Sequence, residues 1–140
     1  MRKTALVITL VAAAAAFTWA NAATVAYKAT LGGTAEVPPV QSAGKGTAQV
    51  NVDTATKQAT WRVDYTGLSG PAAAAHIHCG AAAGANAGVA VPLGDKFDSP
   101  IAGSAALTDA QLADLQAGKC YINVHTAANK GGEIRGQLAP

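Results

Sequence analysis

Two cysteines and three histidines constrain the fold of this chain more than any other feature, because they lie in two short stretches that read as β-strands. Side chains alternate between the faces of a strand. His76 and His78 therefore face away from Cys79, and His125 faces away from Cys120. If the two strands lie side by side, the cysteines meet on the apolar face. The three imidazoles then converge on the opposite, polar face.

The N-terminal segment has the three parts of a secretory signal peptide. Arg2 and Lys3 form a short positive region, and residues 5–19 form an apolar run that is too short to span a membrane comfortably. Residues 20–22 then have the small-x-small form that signal peptidase cuts. We therefore predict that residues 1–22 are a signal peptide and that the protein is periplasmic or secreted.

The remaining segment, residues 23–140, has the usual size of one domain with a single modest core. Without Arg2 and Lys3, eight basic and eight acidic side chains remain, and the formal charge falls from +2 to zero. A neutral chain lacks the basic field that nucleic acid or an anionic membrane surface attracts. We predict one domain, no nucleic-acid partner and no membrane insertion after signal cleavage.

The predicted export also favours a disulfide between the two cysteines. In an oxidising compartment, two cysteines more often pair than stay reduced. Together with their shared face, this predicts a disulfide between Cys79 and Cys120. Closing a loop of about forty residues would stabilise the fold by roughly 3–4 kcal/mol.

Composition and turn placement predict an all-β fold, with short strands separated by turn residues. Trp61, Val63 and Tyr65 alternate with Arg62 and Asp64, as residues of half-buried antiparallel strands do. Strands are expected at eight segments: Thr24–Leu31, Gly46–Val52, Ala59–Tyr65, Ala74–Cys79, Val89–Leu93, Ile101–Ala106, Cys120–His125 and Glu133–Leu138.

One segment breaks the strand pattern and predicts a short helix. Thr108 can cap it, Asp109 lies in its first turn, Leu112 and Leu115 are three residues apart, and Gly118 can end it. Short strands at near-regular spacing with one helical connection favour a Greek-key β-sandwich, and a closed sheet would leave much the same trace.

The order of several short motifs resembles the CHRD domain family, named for a domain repeated in the developmental protein chordin. The resemblance covers nearly the whole predicted mature chain. Its motifs are Leu31–Val40, Gly67–Leu68, Ala75–His78, Gly118, Tyr121–Thr126 and Gly132–Gly136.

The resemblance implies an exported β-sandwich, either immunoglobulin-like or superoxide-dismutase-like. The family includes animal modules that work through protein contacts and small bacterial proteins, some of them linked to copper. The segment His76–His78 is also similar to the copper strand of copper/zinc superoxide dismutases. The further histidines and the zinc-site aspartate of those enzymes have no counterparts here, so dismutase activity is not expected.

The residues themselves support a metal site. Two histidines two apart on a strand present imidazoles on one face, and a third from a neighbouring strand completes a set suited to copper or zinc. The single methionine, Met1, is lost with the signal, and a disulfide withdraws both thiolates. The ligands predicted are therefore His76, His78 and His125, with copper(II) favoured and zinc as the alternative.

These observations predict an exported copper-binding protein for storage, buffering or delivery, with a protein partner in copper handling if it delivers the ion. The alternative is a metal-free β-sandwich module for adhesion or protein interaction, in which the histidines only form structural hydrogen bonds. No serine lies in a nucleophile elbow, and nucleophilic chemistry at Cys79 would require a free thiol. We therefore expect no enzymatic activity.

Three other charged residues receive structural interpretations. Glu36, in the segment Glu36–Pro39, is expected in a rigid turn or edge segment, since proline removes ladder donors. Glu133 and Arg135 project to the same side of the last strand and are expected to form an ion pair. The alternative for Glu133 is a carboxylate that orients one of the imidazoles.

Overall fold

The structure is a computed structural model that describes residues 23–140. The predicted signal peptide, residues 1–22, lies outside the described residues. The elements are β1 (Thr24–Gly32), β2 (Lys45–Asp53), β3 (Gln58–Thr66), β4 (Ala72–Cys79), β5 (Val89–Pro92), β6 (Ile101–Ala106), α1 (Asp109–Gln116), β7 (Cys120–Thr126) and β8 (Ile134–Gln137). The all-β prediction with one short helix is confirmed.

The eight strands form one antiparallel sheet in the order β5-β4-β7-β8-β1-β2-β3-β6. Strands β8 and β1 join the two halves of this sheet through a single register pair, Gly32 with Arg135. Apolar side chains from both halves, such as Val124 of β7 and Val50 of β2, belong to one core cluster. The sheet therefore curls around its own apolar face. The Greek-key arrangement of two packed sheets stays a prediction.

Strands β2 and β3 show how alternation builds this core. Val50 and Trp61 are register partners, and both are buried. The Trp61 indole packs against Gly103 of β6, where an added Cβ would lie 2.7 Å from the ring. Only glycine leaves room for the indole at this position, because real Cβ contacts are never that close.

Helix α1 begins as the sequence predicts. The Thr108 hydroxyl accepts a hydrogen bond from the Gln111 amide, and the Gln111 side chain accepts one from the Thr108 amide, so both residues form a capping box. Leu115 is buried in the core, and Gly118 follows with φ +70°. Within residues 23–140, no helix has the length and apolar character needed to cross a membrane.

Candidate metal centre

The pairing of β4 with β7 brings the two histidine-bearing strands together. Cys79 and Cys120 are direct register partners, and a disulfide joins them with 4.1 Å between their Cα atoms. Because side chains alternate along each strand, the histidines lie on the other face of this strand pair. The disulfide and the three imidazoles therefore lie on opposite faces of the β4–β7 strand pair.

The imidazoles of His76, His78 and His125 converge to form one cluster. One ring nitrogen from each histidine lies within 4.8 Å of the other two. Nδ1 of His76 is 3.1 Å from Nε2 of His125. Two nitrogens bound at about 2.0–2.1 Å to one ion, at angles of roughly 90–110°, lie about 2.8–3.4 Å apart. The closest pair thus already has the spacing of two ligands of one ion.

Backbone carbonyls fix the orientation of two of these rings. Nδ1 of His78 lies 2.9 Å from the Ala87 carbonyl oxygen, and Nδ1 of His125 lies 2.9 Å from the Lys130 carbonyl oxygen. A carbonyl only accepts hydrogen bonds, so each Nδ1 carries the proton in the neutral ring, and each Nε2 keeps its lone pair. Holding one ring nitrogen in this way is how proteins orient a metal-binding histidine.

In the His78 and His125 rings, Nε2 is the nitrogen whose lone pair can accept a hydrogen bond or bind a metal ion. Nε2 of His78 is buried and has no hydrogen-bond partner in the part of the chain that the structure describes. Nε2 of His125 faces Nδ1 of His76, which donates a hydrogen bond to it in the metal-free protein. For His76 to bind an ion through Nδ1, its proton must move to its own Nε2.

Two of the imidazoles, those of His76 and His125, are held in the neutral form. Burial, and then the nearby His125 and His78 rings, lower the pKa of His76. Burial also lowers the pKa of His125; the Lys130 carbonyl opposes this effect and His78 adds to it. Both rings are therefore neutral at neutral pH, which is the state that binds metal.

Tyr121 and Arg135 support the cluster from one side. The Tyr121 ring is stacked on the His78 ring, and the Arg135 guanidinium lies 3.4 Å from the Tyr121 ring centroid. Since β7 lies between β4 and β8, the imidazole and the guanidinium contact opposite faces of the tyrosine. The Tyr121 hydroxyl also accepts a hydrogen bond from the Ala87 amide at 3.2 Å, which holds the loop whose carbonyl orients His78.

The prediction that Glu133 and Arg135 form an ion pair is wrong. Among the described residues, the Arg135 side chain donates hydrogen bonds to Asn86 and to the Ala85 carbonyl, and its guanidinium lies over the Tyr121 ring. The Glu133 carboxylate is fully buried and accepts hydrogen bonds from four side chains: Ser42, Ser69, Thr126 and Asn129.

These hydrogen bonds decide the charge of Glu133. Burial alone would raise its pKa, but the hydrogen bonds from Ser42, Ser69 and Thr126 outweigh it and lower the pKa to about 2. Thr126 and Asn129 belong to the turn that also carries Lys130, whose carbonyl orients His125. Glu133 thus supports one imidazole through this turn and without touching it.

The sequence interpretation missed the position of Glu36. A turn of 3-10 helix at Gly33–Ala35 brings its carboxyl over β8, where it is 4% exposed and packs against Gly132. Burial raises its pKa to about 7, although the charge of Arg135 and a hydrogen bond from Asn123 lower it. An acidic residue among apolar neighbours in Ala35–Pro39 was the one signal of burial in the sequence.

A comparison with models of known protein families finds a match over most of the chain. The family model of the CHRD domain matches residues 27–138, which include the three histidines and both cysteines. Comparisons with curated proteins and with solved structures find no match.

Proposed function

The chain belongs to the CHRD domain family, and from this premise we propose that it is an exported protein that binds copper(II) through His76, His78 and His125 for storage, buffering or delivery. The observation that carries this proposal is the convergence of the three imidazoles. In two of them, carbonyls hold Nδ1, so Nε2 carries the lone pair: that of His78 has no partner among the described residues, and that of His125 faces Nδ1 of His76.

A metal ion accounts for the cluster better than structural hydrogen bonding does. A structural histidine satisfies both ring nitrogens, and a buried nitrogen without a partner costs free energy. Nε2 of His78 is such a nitrogen among the described residues. A divalent ion would serve as the partner of this nitrogen, of Nε2 of His125 and, once its proton has moved to Nε2, of Nδ1 of His76.

The donor set favours copper(II). Imidazole nitrogen suits copper and zinc, and the affinity of a given site for divalent first-row metals is highest for copper(II). Both cysteine sulfurs are in a disulfide on the opposite face. The site therefore offers no thiolate, the ligand type that favours copper(I). Zinc(II) is the alternative ion for the same three ligands.

Exposure and redox setting support storage, buffering or delivery outside the cytoplasm. His76 and His125 are half-buried, so an ion or a protein partner in copper handling can approach from solvent. The disulfide fits an oxidising compartment, in agreement with the predicted signal peptide and a periplasmic or secreted location. The proposal assigns the cluster a binding role and no catalytic role.

Titration calorimetry with copper(II) and with zinc(II) tests the proposal on protein that starts at Ala23 and carries no histidine tag. The parent should bind one ion per chain. His125→Ala removes one of three ligands, so its affinity should fall by about 100-fold or more, equivalent to a loss of roughly 2.7 kcal/mol. Gln49→Ala, on the polar face of β2 away from the cluster, is the matched control and should bind as the parent does.

Metal-free melting curves separate binding from folding. His125→Ala should melt close to the parent, because the disulfide and the apolar core do not involve this ring. Unchanged metal affinity in His125→Ala would reject a shared site. Unchanged affinity together with a collapsed melting temperature would make this histidine structural and favour a metal-free adhesion or protein-interaction module.

A further inference from the structure

A small pocket lies beside the metal centre, on the far side of Tyr121 from His78. It has a volume of about 380 Å³, and its walls come from the segment around Glu36 and from the loop that carries Ala83. Arg135 and Gln137 of β8 also line it. This volume is at the lower end of the range for small-molecule sites.

A buried carboxyl group and a buried guanidinium line this pocket without pairing directly. Glu36 and Arg135 are 4% and 1% exposed. In the described part of the chain, direct ion pairs join Lys57 with Asp109 and Arg62 with Asp64, and none joins Glu36 with Arg135. Buried charges that are not in contact need other partners, because the loss of hydration is costly.

Two residues that line the pocket each have one oxygen atom without a hydrogen-bond partner in the described part of the chain. Oε1 of Glu36 and Oε1 of Gln137 are buried, and neither has a hydrogen-bond donor among residues 23–140. The Gln137 amide is oriented, since its Nε2 donates to the carbonyls of Ala81 and Gly118 at 3.0 and 2.9 Å. Its oxygen therefore cannot exchange places with its nitrogen to find a donor.

Arg135, which lines the same pocket, keeps unused donors. Its two terminal nitrogens donate to Oδ1 of Asn86 at 3.0 Å and to the Ala85 carbonyl at 2.7 Å. A guanidinium has five N–H groups, so three remain. The residues that line the pocket thus carry two unpaired acceptor oxygens, one of them on a carboxyl group, and a cation that can still donate hydrogen bonds.

We propose that this pocket binds a free α-amino acid with a small apolar side chain. Its ammonium group pairs with Glu36 and donates to Gln137, while its carboxylate pairs with Arg135. Its side chain packs against apolar wall residues such as Val37, Pro39 and Ala83. This assignment gives each buried group of the pocket a partner of the right kind.

Simpler ions fit the pocket less well. A lone cation at Glu36 would be repelled by Arg135, and a lone anion at Arg135 would be repelled by Glu36. A zwitterion places each of its charges beside the opposite charge of the protein. Burial raises the pKa of Glu36 to about 7, and the charge of Arg135 and a hydrogen bond from Asn123 offset this only in part, so a cation placed beside Glu36 would stabilise its carboxylate.

The inference does not depend on the proposed copper site, because none of its residues is a predicted metal ligand. Its test therefore uses metal-free protein, starting at Ala23 and without a tag. The probe is L-valine in titration calorimetry. The matched probes are 3-methylbutanoate, which is valine without the amino group, and 2-methylpropan-1-amine, which is valine without the carboxylate.

We expect saturable binding of one L-valine per chain, with both matched probes weaker by roughly tenfold or more, since each loses one charge-assisted interaction. Glu36→Gln keeps the shape of the side chain and removes its charge, so the affinity for valine should also fall by roughly tenfold or more. Asp64→Asn neutralises an exposed carboxylate outside the pocket. It should bind valine as the parent does.

Three results would overturn the inference. They are no saturable binding of L-valine to the parent at millimolar concentrations, equal binding of the amine or of the acid, and unchanged valine affinity in a folded Glu36→Gln protein. If Glu36→Gln does not fold, the comparison of the three probes on the parent decides the matter. Failure of copper binding would leave all of these measurements unaffected.

Discussion

The His78 imidazole lies flat on the Tyr121 ring, with 4.7 Å between ring centroids and 2° between ring planes. The two residues are direct register partners on β4 and β7. Since Tyr121 is buried and carries Arg135 on its other face, it holds the His78 ring in the orientation that presents Nε2 to the cluster.

Substitution of Tyr121 should therefore weaken metal binding without removing a ligand. Tyr121→Leu loses the stacked ring, and we expect the copper(II) affinity to fall by about tenfold, as when other groups that orient a ligand are removed. Tyr121→Phe keeps the stack and loses only the hydroxyl that holds the Ala87 loop, so its affinity should fall less than that of Tyr121→Leu. Tyr27→Leu, at a buried tyrosine of β1, should lower stability without changing affinity. An unchanged copper affinity in Tyr121→Leu would show that the stack does not orient His78.

The pH dependence of copper binding follows from the lowered pKa values of His76 and His125. A histidine whose pKa is below 6.5 stays neutral to more acidic pH than a free histidine, so it remains able to bind metal there. Affinity should stay level from pH 8 to below about 6.5 and fall on further acidification. Competition titrations with a chelator of known affinity measure this curve. Constant affinity down to about pH 4.5 would indicate carboxylate ligands.

Two measurements test the disulfide. They are a count of free thiols and the stability that the protein loses when both cysteines are replaced. Thiol titration of the denatured, unreduced protein should find almost no free sulfhydryl. The Cys79→Ala/Cys120→Ala protein should lose roughly 3–4 kcal/mol of unfolding free energy in urea, because the bond closes a loop across 41 positions. Two free thiols per chain would remove the disulfide and make a thiolate copper(I) site a real alternative.

Glu133 should contribute stability above its unfolded pKa and lose that contribution in acid. Its pKa falls from 4.5 to about 2 on folding. The contribution, about 3 kcal/mol, is therefore complete above pH 4.5 and is lost as the pH falls toward 2. Glu133→Gln should lower the unfolding free energy at pH 7 by about this amount. Asp109→Asn, at an exposed ion pair, should change it little. Equal effects of the two substitutions would contradict the prediction.

The contribution of Glu36 to stability should have the opposite pH dependence. Its pKa rises from 4.5 to about 7 on folding, so the folded protein holds a proton that the unfolded chain releases. Stability should fall on the order of 2 kcal/mol as the pH rises from 4.5 through 7. The Glu36→Gln protein should lack this decline and be more stable than the parent at pH 8. The unfolding free energies of the two proteins can be measured in urea at acidic and at alkaline pH. An equal change with pH in both proteins would refute the prediction.

Much of the fold could be predicted from local pattern. The alternation of buried and exposed residues at Trp61 and Val63 indicates strand β3, and Thr108 with Gln111 marks the start of α1. The same alternation places Cys79 and His78 on opposite faces, as the structure has them. These features depend on neighbours a few residues apart, so the chain itself records them.

Tertiary structure decided what each of these side chains contacts. Sequence alone places His78 and His125 on one face, but the Ala87 and Lys130 carbonyls that orient them belong to loops whose paths depend on the whole sheet. In the same way, Glu36 comes to rest near Arg135, a hundred residues away in the chain, and Glu133 finds four donors instead of the ion pair expected. The physical reason is that strand alternation sets only the side of the sheet that a residue faces, whereas hydrogen bonding and burial depend on which distant segment covers that side.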